Sequence, residues 1–222
     1  MRRARISVGE LDYLDEGEGP PVVLLHGLGS SSELWRHVVP FLIARTRVVV
    51  PDFPDVGWNA AARARSMGEL LDTLEIDRFA AVGHGLGGVI AQLLAIGRGA
   101  ECLVLIDAGP VDPGRGSASG PDLDPPMLRQ IEAPTLIVWG EDDPYLQVGV
   151  AEGLADALPH SSLVLLPGCS HFVPQEAPDT LGPLVAEFLR VRYLGLPHDH
   201  DQAHGQVDGP VPIELHRTRG PA

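Results

Sequence analysis

The chain has 222 residues, of which 44% are hydrophobic and 21% charged, and this size and composition favour one globular domain over a fibre. Acidic residues outnumber basic ones by 30 to 16, so a formal charge of −14 argues against nucleic acid and membrane surfaces as partners. All 16 basic residues are arginine, which excludes Schiff-base chemistry on lysine and a Walker-type lysine. Because the chain has two cysteines, no long apolar run and no recognisable signal peptide, we expect a cytoplasmic protein without a disulfide framework.

The predicted elements form an alternating series. Residues 5–15 predict an N-terminal antiparallel hairpin with its turn at Gly9-Glu10. Short runs rich in Val, Ile and Leu then predict buried parallel strands at 22–25, 47–50, 79–82, 102–106, 135–139 and 163–166. Stretches with apolar residues about 3.6 positions apart predict helices at 33–44, 67–74, 86–96, 146–158 and 181–194. This alternation predicts an α/β fold with a mostly parallel sheet and helices on both faces.

Two segments interrupt the alternation. Residues 109–131 begin with many prolines, glycines and serines, which predicts a short irregular loop. Residues 195–222 lack periodicity and predict a disordered tail after a core of residues 1–194. The tail contains His198, His200 and His204, but such a terminus is more often solvated than metal-bound, so we expect neither a metal site nor a cofactor.

The glycine-rich segment 82–88, Val-Gly-His-Gly-Leu-Gly-Gly, follows a predicted strand and opens a predicted helix. One interpretation is a dinucleotide-binding fingerprint, because Gly83, Gly85 and Gly88 match G-x-G-x-x-G and Asp107 ends the next strand, 19 residues later. That fingerprint normally occupies the first strand–helix unit of its sheet, whereas two predicted parallel strands precede this one. This interpretation is therefore the weaker.

The other interpretation is a nucleophile elbow, G-x-S-x-G, with Gly85 at the serine position. Three further segments fit it. Residues 26–29, His-Gly-Leu-Gly, follow a strand where an oxyanion loop belongs; residues 140–144, Gly-Glu-Asp-Asp-Pro, follow a strand where a catalytic acid belongs. Residues 168–176 follow the last strand and contain a histidine. The order of elbow, acid and histidine is that of one fold family.

On these motifs the sequence resembles the α/β-hydrolase superfamily, in its esterase-, haloperoxidase- and lactonase-like branch, over roughly residues 6–194. The resemblance implies that His171 is the base and Asp143 the acid, with Asp142 as the rival of Asp143. It also implies an oxyanion site that includes Gly27 and the backbone N–H groups of Leu28 and Leu86. His84, before the elbow centre, is open to two interpretations, as a polar group of the substrate site or as a packing residue.

The sequence departs from the family pattern at three places. Gly85 replaces the nucleophile. The lid domain that many relatives carry is missing, because Asp107 and Pro134 are 27 positions apart and residues 109–131 stand in its place. The segment 51–59 also differs from the D-x-P-G-x-G-x-S that relatives tend to have.

Without an oxygen at position 85 no acyl-enzyme can form there, while a histidine oriented by a carboxylate can still take a proton. We therefore predict proton abstraction, elimination, cyclisation or water-mediated hydrolysis of a small, largely apolar carbonyl or ester compound. Two alternatives stay open: a pseudo-hydrolase that binds a ligand or partner, and a serine esterase inactivated by a serine-to-glycine change. The lysine-free composition hints at secondary metabolism in a high-GC bacterium, and a homodimer is left open.

Overall fold

A computed structural model describes residues 1–53, 59–109 and 125–196 of the chain. In this part of the chain one sheet contains β1 (Arg2–Ile6), β2 (Gly9–Glu16), β3 (Pro21–Leu25), β4 (Arg47–Asp52), β5 (Ala80–His84), β6 (Cys102–Ile106), β7 (Thr135–Gly140) and β8 (Ser161–Leu166). Its strand order is β1-β2-β4-β3-β5-β6-β7-β8, with β1 and β2 antiparallel and β3 to β8 parallel. The predicted α/β-hydrolase sheet with an N-terminal hairpin is confirmed.

Helices cover both faces of this sheet. They are a 3₁₀ helix (Ser32–Trp35), α1 (Val39–Leu42), α2 (Ala60–Thr73), α3 (Leu86–Arg98), α4 (Pro125–Leu128), α5 (Val148–Ala157), α6 (Val173–Glu176) and α7 (Pro178–Arg192). Alternate residues of β3 enter different cores, since Val23 and Leu25 pack with α2, α3 and α5, while Val22 and Leu24 pack with α1 and α7. Burial on both faces explains why the parallel strands are continuous apolar runs.

Two predicted elements were wrong in detail. The hairpin turn lies at residues 7–8, because Gly9 pairs with Ile6 as the first residue of β2. The helix predicted at 33–44 is two short pieces, the 3₁₀ helix and α1. Pro40 explains the break, since it has no N–H and its ring blocks the carbonyl four residues earlier.

The segment predicted as an irregular loop, 109–131, contains the short helix α4. Proline is well suited to the first turn of a helix, and Leu128 buries its side chain at the helix end. Residues 110–124 and the histidines of the tail lie outside the described residues. Within the described ranges no helix has the length and apolar character needed to cross a membrane, and no cluster of metal-ligating side chains occurs.

Three glycines of the elbow are required by the packing of α3 against the sheet. A Cβ at Gly87 would lie 2.0 Å from the carbonyl oxygen of Leu25, and one at Gly88 would lie 2.2 Å from the Cβ of Ala108. A Cβ at Gly83 would lie 2.3 Å from the carbonyl oxygen of Gly87. Real side chains do not tolerate such distances, so these positions fix how closely α3 approaches β3 and β6.

Replacing Gly87 by alanine should therefore lower the free energy of unfolding by about 2 kcal/mol or more, because the clash is with backbone that cannot move aside. Gly97 in the same helix is the matched control. Nothing lies within 4 Å of its Cβ position, so Gly97→Ala should raise the free energy of unfolding by about 0.5–1 kcal/mol. Urea denaturation of both variants measures the difference, and equal stabilities would contradict the packing argument.

Candidate active site

The topology of the sheet brings the four predicted motifs to one edge. In parallel strands all carboxyl ends lie at the same edge, which is where open α/β sheets bind ligands. Gly27 follows β3, Gly85 follows β5, Asp143 follows β7 and His171 follows β8. The candidate site therefore forms from segments far apart in the sequence.

His171 and Asp143 form a hydrogen-bonded dyad. His171 Nδ1 lies 2.7 Å from Asp143 Oδ2, so Nδ1 carries the hydrogen and Nε2 keeps a lone pair. The other carboxylate oxygen accepts hydrogen bonds from the N–H groups of Tyr145 at 2.7 Å and Leu146 at 3.0 Å. The Asp143 side chain is 1% exposed, whereas Asp142 is exposed. Asp143 is thus the carboxylate that orients the imidazole.

The loop that carries His171 is held on both sides. Glu176, at the end of α6, accepts hydrogen bonds from the N–H of Ser170 at 2.6 Å and from the N–H of Phe172 at 3.2 Å. A Cβ at Gly140 would lie 2.1 Å from the carbonyl oxygen of Ser170, so the acid-bearing loop and the histidine-bearing loop touch through their backbones. These contacts leave the imidazole little freedom to move relative to its carboxylate.

Gly85 lies opposite the basic nitrogen of the imidazole. Its backbone has φ +54° and ψ −124°, a conformation that favours glycine. A Cβ at this position would lie 3.5 Å from His171 Nε2 and 3.9 Å from the Cα of Gly27, both ordinary contact distances. Position 85 therefore has room for a small side chain within reach of Nε2.

Two of the predicted oxyanion residues, Gly27 and Leu86, lie beside this position. The N–H of Leu86 opens α3 and so has no acceptor within the helix. A Cβ at Gly27 would lie 3.4 Å from that nitrogen, which brings the loop after β3 against the elbow. Leu28 comes next in the chain, and its side chain is 41% exposed.

His84 lies beside the imidazole of His171, with the two ring centroids 4.8 Å apart. It is buried, and its Nε2 lies 2.7 Å from the carbonyl oxygen of His171. A carbonyl only accepts, so Nε2 donates. Burial lowers the pKa of His84 to about 4, so the ring is neutral at pH 7. His84 thus donates to the backbone of His171, a contact that the sequence could not indicate.

The depressed pKa of His84 predicts acid sensitivity of the fold. The unfolded chain binds a proton near pH 6.5 and the folded chain near pH 4, so stability falls as the pH drops through this window. The full loss amounts to about 3 kcal/mol. His84→Gln should lack this component, whereas His37→Gln, a change at an exposed histidine, should keep it. Urea denaturation between pH 7.5 and about pH 4 tests this, and identical pH profiles for the two variants would contradict it.

His26 and Asp107, two polar residues of the motifs discussed above, are also buried. His26 lies 3.0 Å from the carbonyl oxygen of Gly27 through Nδ1 and accepts from the N–H of Phe53 at 3.0 Å through Nε2, so it ties the loop after β3 to the end of β4. Asp107 is fully buried. It therefore cannot reach a ribose, and the dinucleotide-binding interpretation loses its acidic residue.

Sequence reasoning missed Tyr145 and Glu176 as site residues. Tyr145 is 68% exposed, and the centroid of its ring lies 5.2 Å from that of His171 in an edge-on arrangement. The position of Tyr145 directly after the acid motif could have indicated that it lies near the site. Glu176 ends the histidine motif, but its hydrogen bonds to backbone N–H groups depend on the helical turn of α6.

A cavity of about 690 Å³ opens at the opposite edge of the sheet. It is lined by Pro20, Pro21, Arg45, Arg78, Glu101, Tyr193, Leu194 and Leu196. Most of these residues precede or begin strands, so they lie away from the carboxyl ends where the dyad is located. A ligand bound in this cavity would not contact His171.

The sequence of this chain is similar to those of known proteins. The model of the alpha/beta hydrolase family matches residues 22–130. Haloalkane dehalogenase 2 of Mycobacterium tuberculosis is 26% identical over 82% of this chain and 92% of its own length. The 2-hydroxy-6-oxononadienedioate/2-hydroxy-6-oxononatrienedioate hydrolase 2 of Pseudomonas putida is 27% identical over 85% and 96%.

Solved structures agree with the family model. A meta-cleavage product hydrolase from Pseudomonas fluorescens superposes with a TM-score of 0.77 at 19% identity, covering 86% of this chain and 97% of that one. At this identity the superposition shows the fold, and the names of the sequence relatives describe hydrolytic enzymes. The chain has the α/β-hydrolase fold, and its residues 22–130 match the model of the alpha/beta hydrolase family.

Proposed function

We propose that this chain is an enzyme that uses the His171–Asp143 dyad as a general base and forms no covalent acyl-enzyme. The observation that carries the proposal is the geometry of Nε2, which bears a lone pair and faces position 85, where glycine offers no nucleophilic atom. A base without a neighbouring nucleophile acts on the substrate itself or on water. That the related enzymes are hydrolases supports an enzymatic role.

In proton abstraction, a carbonyl compound binds above Gly85 with its oxygen near the N–H groups of Leu86 and Leu28. Nε2 takes a proton from the carbon next to the carbonyl, and the electrons of the broken C–H bond form the enolate. Backbone donors stabilise the negative oxygen, and Asp143 stabilises the imidazolium through Nδ1–H. In elimination, the electrons of the enolate then form a carbon–carbon double bond as the bond to a leaving group on the neighbouring carbon breaks, and the leaving group takes the proton from the imidazolium. In cyclisation, the enolate carbon instead bonds to a second carbonyl carbon of the same molecule, whose oxygen takes that proton.

In hydrolysis, a water molecule occupies the room beside Gly85. Nε2 takes one proton from this water while its oxygen attacks the acyl carbon, and the proton then passes to the departing alcohol. The hydrolytic relatives favour this second reaction. Both reactions use the same base and the same oxyanion donors.

The surface around the dyad favours a small apolar substrate. Tyr145 and Leu28 are both exposed beside the site and offer apolar contact area. The alignment with haloalkane dehalogenase 2 spans 262 positions although it covers only 82% of this chain, so long stretches of the relative have no counterpart here. This supports our proposal that a short segment, residues 109–131, takes the place of a lid.

Stopped-flow kinetics with p-nitrophenyl acetate and simple lactones test the proposal. We expect linear product release from the first turnover, because no acyl-enzyme accumulates. In parallel, NMR in D₂O should detect exchange of the α-protons of small ketones. A burst of one product per active site would overturn the non-covalent mechanism. Binding without turnover or exchange across the panel would favour the pseudo-hydrolase alternative.

A further inference from the structure

Asp107 follows β6 directly and has no part in the chemistry described above. Its side chain is fully buried, and its backbone has φ +45°, a region that residues other than glycine rarely adopt. A residue keeps such a conformation only where its surroundings determine it strongly. The contacts of this carboxyl group show what those surroundings are.

Asp107 lies where the two loops that carry the dyad meet. Its Oδ1 accepts a hydrogen bond from the N–H of Gly140 at 2.8 Å, at the start of the loop that leads to Asp143. The loop that carries His171 meets the same place, because a Cβ at Gly140 would lie 2.1 Å from the carbonyl oxygen of Ser170. One buried side chain thus lies where the backbones of both loops meet.

The electrostatic surroundings favour a neutral carboxyl group. Burial is the main reason why the pKa of Asp107 rises to about 8, and the like charges of Asp143 and Glu176 add to it. Burial raises the pKa of the Cys169 thiol, and the negative charges of Glu176, Asp107 and Asp142 raise it further. Since Oδ1 accepts from Gly140, the proton of neutral Asp107 resides on Oδ2, which is buried without a hydrogen-bond partner among the described residues.

We propose that Asp107 is a positioning residue: its buried carboxyl group fixes the separation of the two loops and thereby maintains the hydrogen bond between His171 and Asp143. The proposal rests on the proposed function only for its kinetic readout. The backbone contact of Gly140 with Ser170 holds the loops together at their base, and Asp107 lies at that junction. Loss of the carboxyl group leaves the N–H of Gly140 buried without an acceptor, so the acid-bearing loop must shift.

The test follows the downfield proton resonance of His171 Nδ1–H, assigned by its absence in His171→Ala. We expect Asp107→Ala to shift or remove this resonance and to lower kcat roughly 100-fold, the effect of a misplacement of about 1 Å. Asp107→Asn keeps an oxygen for Gly140 N–H and should retain the resonance and most of the activity at pH 7. Glu141→Gln, a change at an exposed carboxylate in the same loop, should behave as the native chain does.

The resonance separates this proposal from the proposed function, because it requires no turnover. An unchanged resonance in folded Asp107→Ala would overturn the positioning role, whereas absence of turnover in every variant would overturn only the enzymatic role. If Asp107→Ala does not fold, the comparison of the pH dependence of the resonance in the native chain and in Asp107→Asn tests the proposal instead. Because burial raises the pKa of Asp107 to about 8, we expect the resonance to shift as the pH rises through that pKa in the native chain and not in Asp107→Asn. Identical pH behaviour would contradict the proposal.

Discussion

Gly85→Ser should create a covalent nucleophile that reacts with fluorophosphonates, which the native chain should not do. The Cβ at this position lies 3.5 Å from His171 Nε2, so a serine Oγ can reach hydrogen-bonding distance of the basic nitrogen. Loss of such a serine from an intact triad lowers kcat about 10⁶-fold. Even a partial triad should therefore raise ester hydrolysis by about 10³-fold or more. Intact mass after fluorophosphonate treatment and initial rates with p-nitrophenyl acetate measure the two effects.

The new serine must adopt φ +54°, which costs about 1–3 kcal/mol of stability. Gly85→Ala carries the same backbone strain without the oxygen, so it is the matched control and should neither label nor gain activity. The double variant Gly85→Ser with His171→Ala should also stay unlabelled. If folded Gly85→Ser does not react, the elbow and the dyad are not aligned for catalysis. Efficient ester hydrolysis by this variant would favour the interpretation of an inactivated serine esterase.

His171→Ala should reduce turnover about 10²- to 10⁴-fold, since the base that accepts the substrate proton is removed. Asp143→Asn should cause a loss of similar size. The asparagine amide can present N–H groups to Nδ1, which favours the tautomer with its hydrogen on Nε2 and so removes the lone pair that faces position 85. Measurements of kcat/KM on whichever substrate the panel identifies provide the comparison.

His160→Gln is the control for these changes, because His160 is an exposed histidine paired with Glu132 away from the dyad. Its kcat/KM should match that of the native chain. The prediction would be contradicted if His171→Ala kept its turnover while its free energy of unfolding fell. The dyad would then serve only to hold two loops together, and the proposed mechanism would be wrong.

Much of the fold could be predicted because burial on both faces leaves a continuous apolar signal. Strand β6 occupies the residues predicted for it, 102–106, and all five of its residues are buried. The segment 33–44 shows the limit of this reasoning. The spacing of its apolar residues fits one helix. That spacing takes no account of backbone hydrogen bonds, which Pro40 interrupts.

The order of the motifs along the chain was sufficient to predict the two residues of the dyad. Asp143 and His171 could be proposed because each follows a strand of the expected kind, 28 residues apart. The choice between Asp142 and Asp143 depends on which side chain turns inward, and that is set by the loop geometry. The hydrogen bond of His84 to the carbonyl of His171 spans 87 residues and rests on backbone placement, so no local pattern indicates it.

The elbow glycines have a consequence for the transfer of functional labels between sequences. Gly83, Gly87 and Gly88 are demanded by the fit of a helix on a sheet, whatever residue stands at position 85. Any chain with this fold and this close fit will keep a similar pattern, whether or not it catalyses a reaction. A pattern search that scores these glycines therefore detects the close packing of a helix on a sheet. The chemistry depends instead on the residue at position 85, which this packing does not fix.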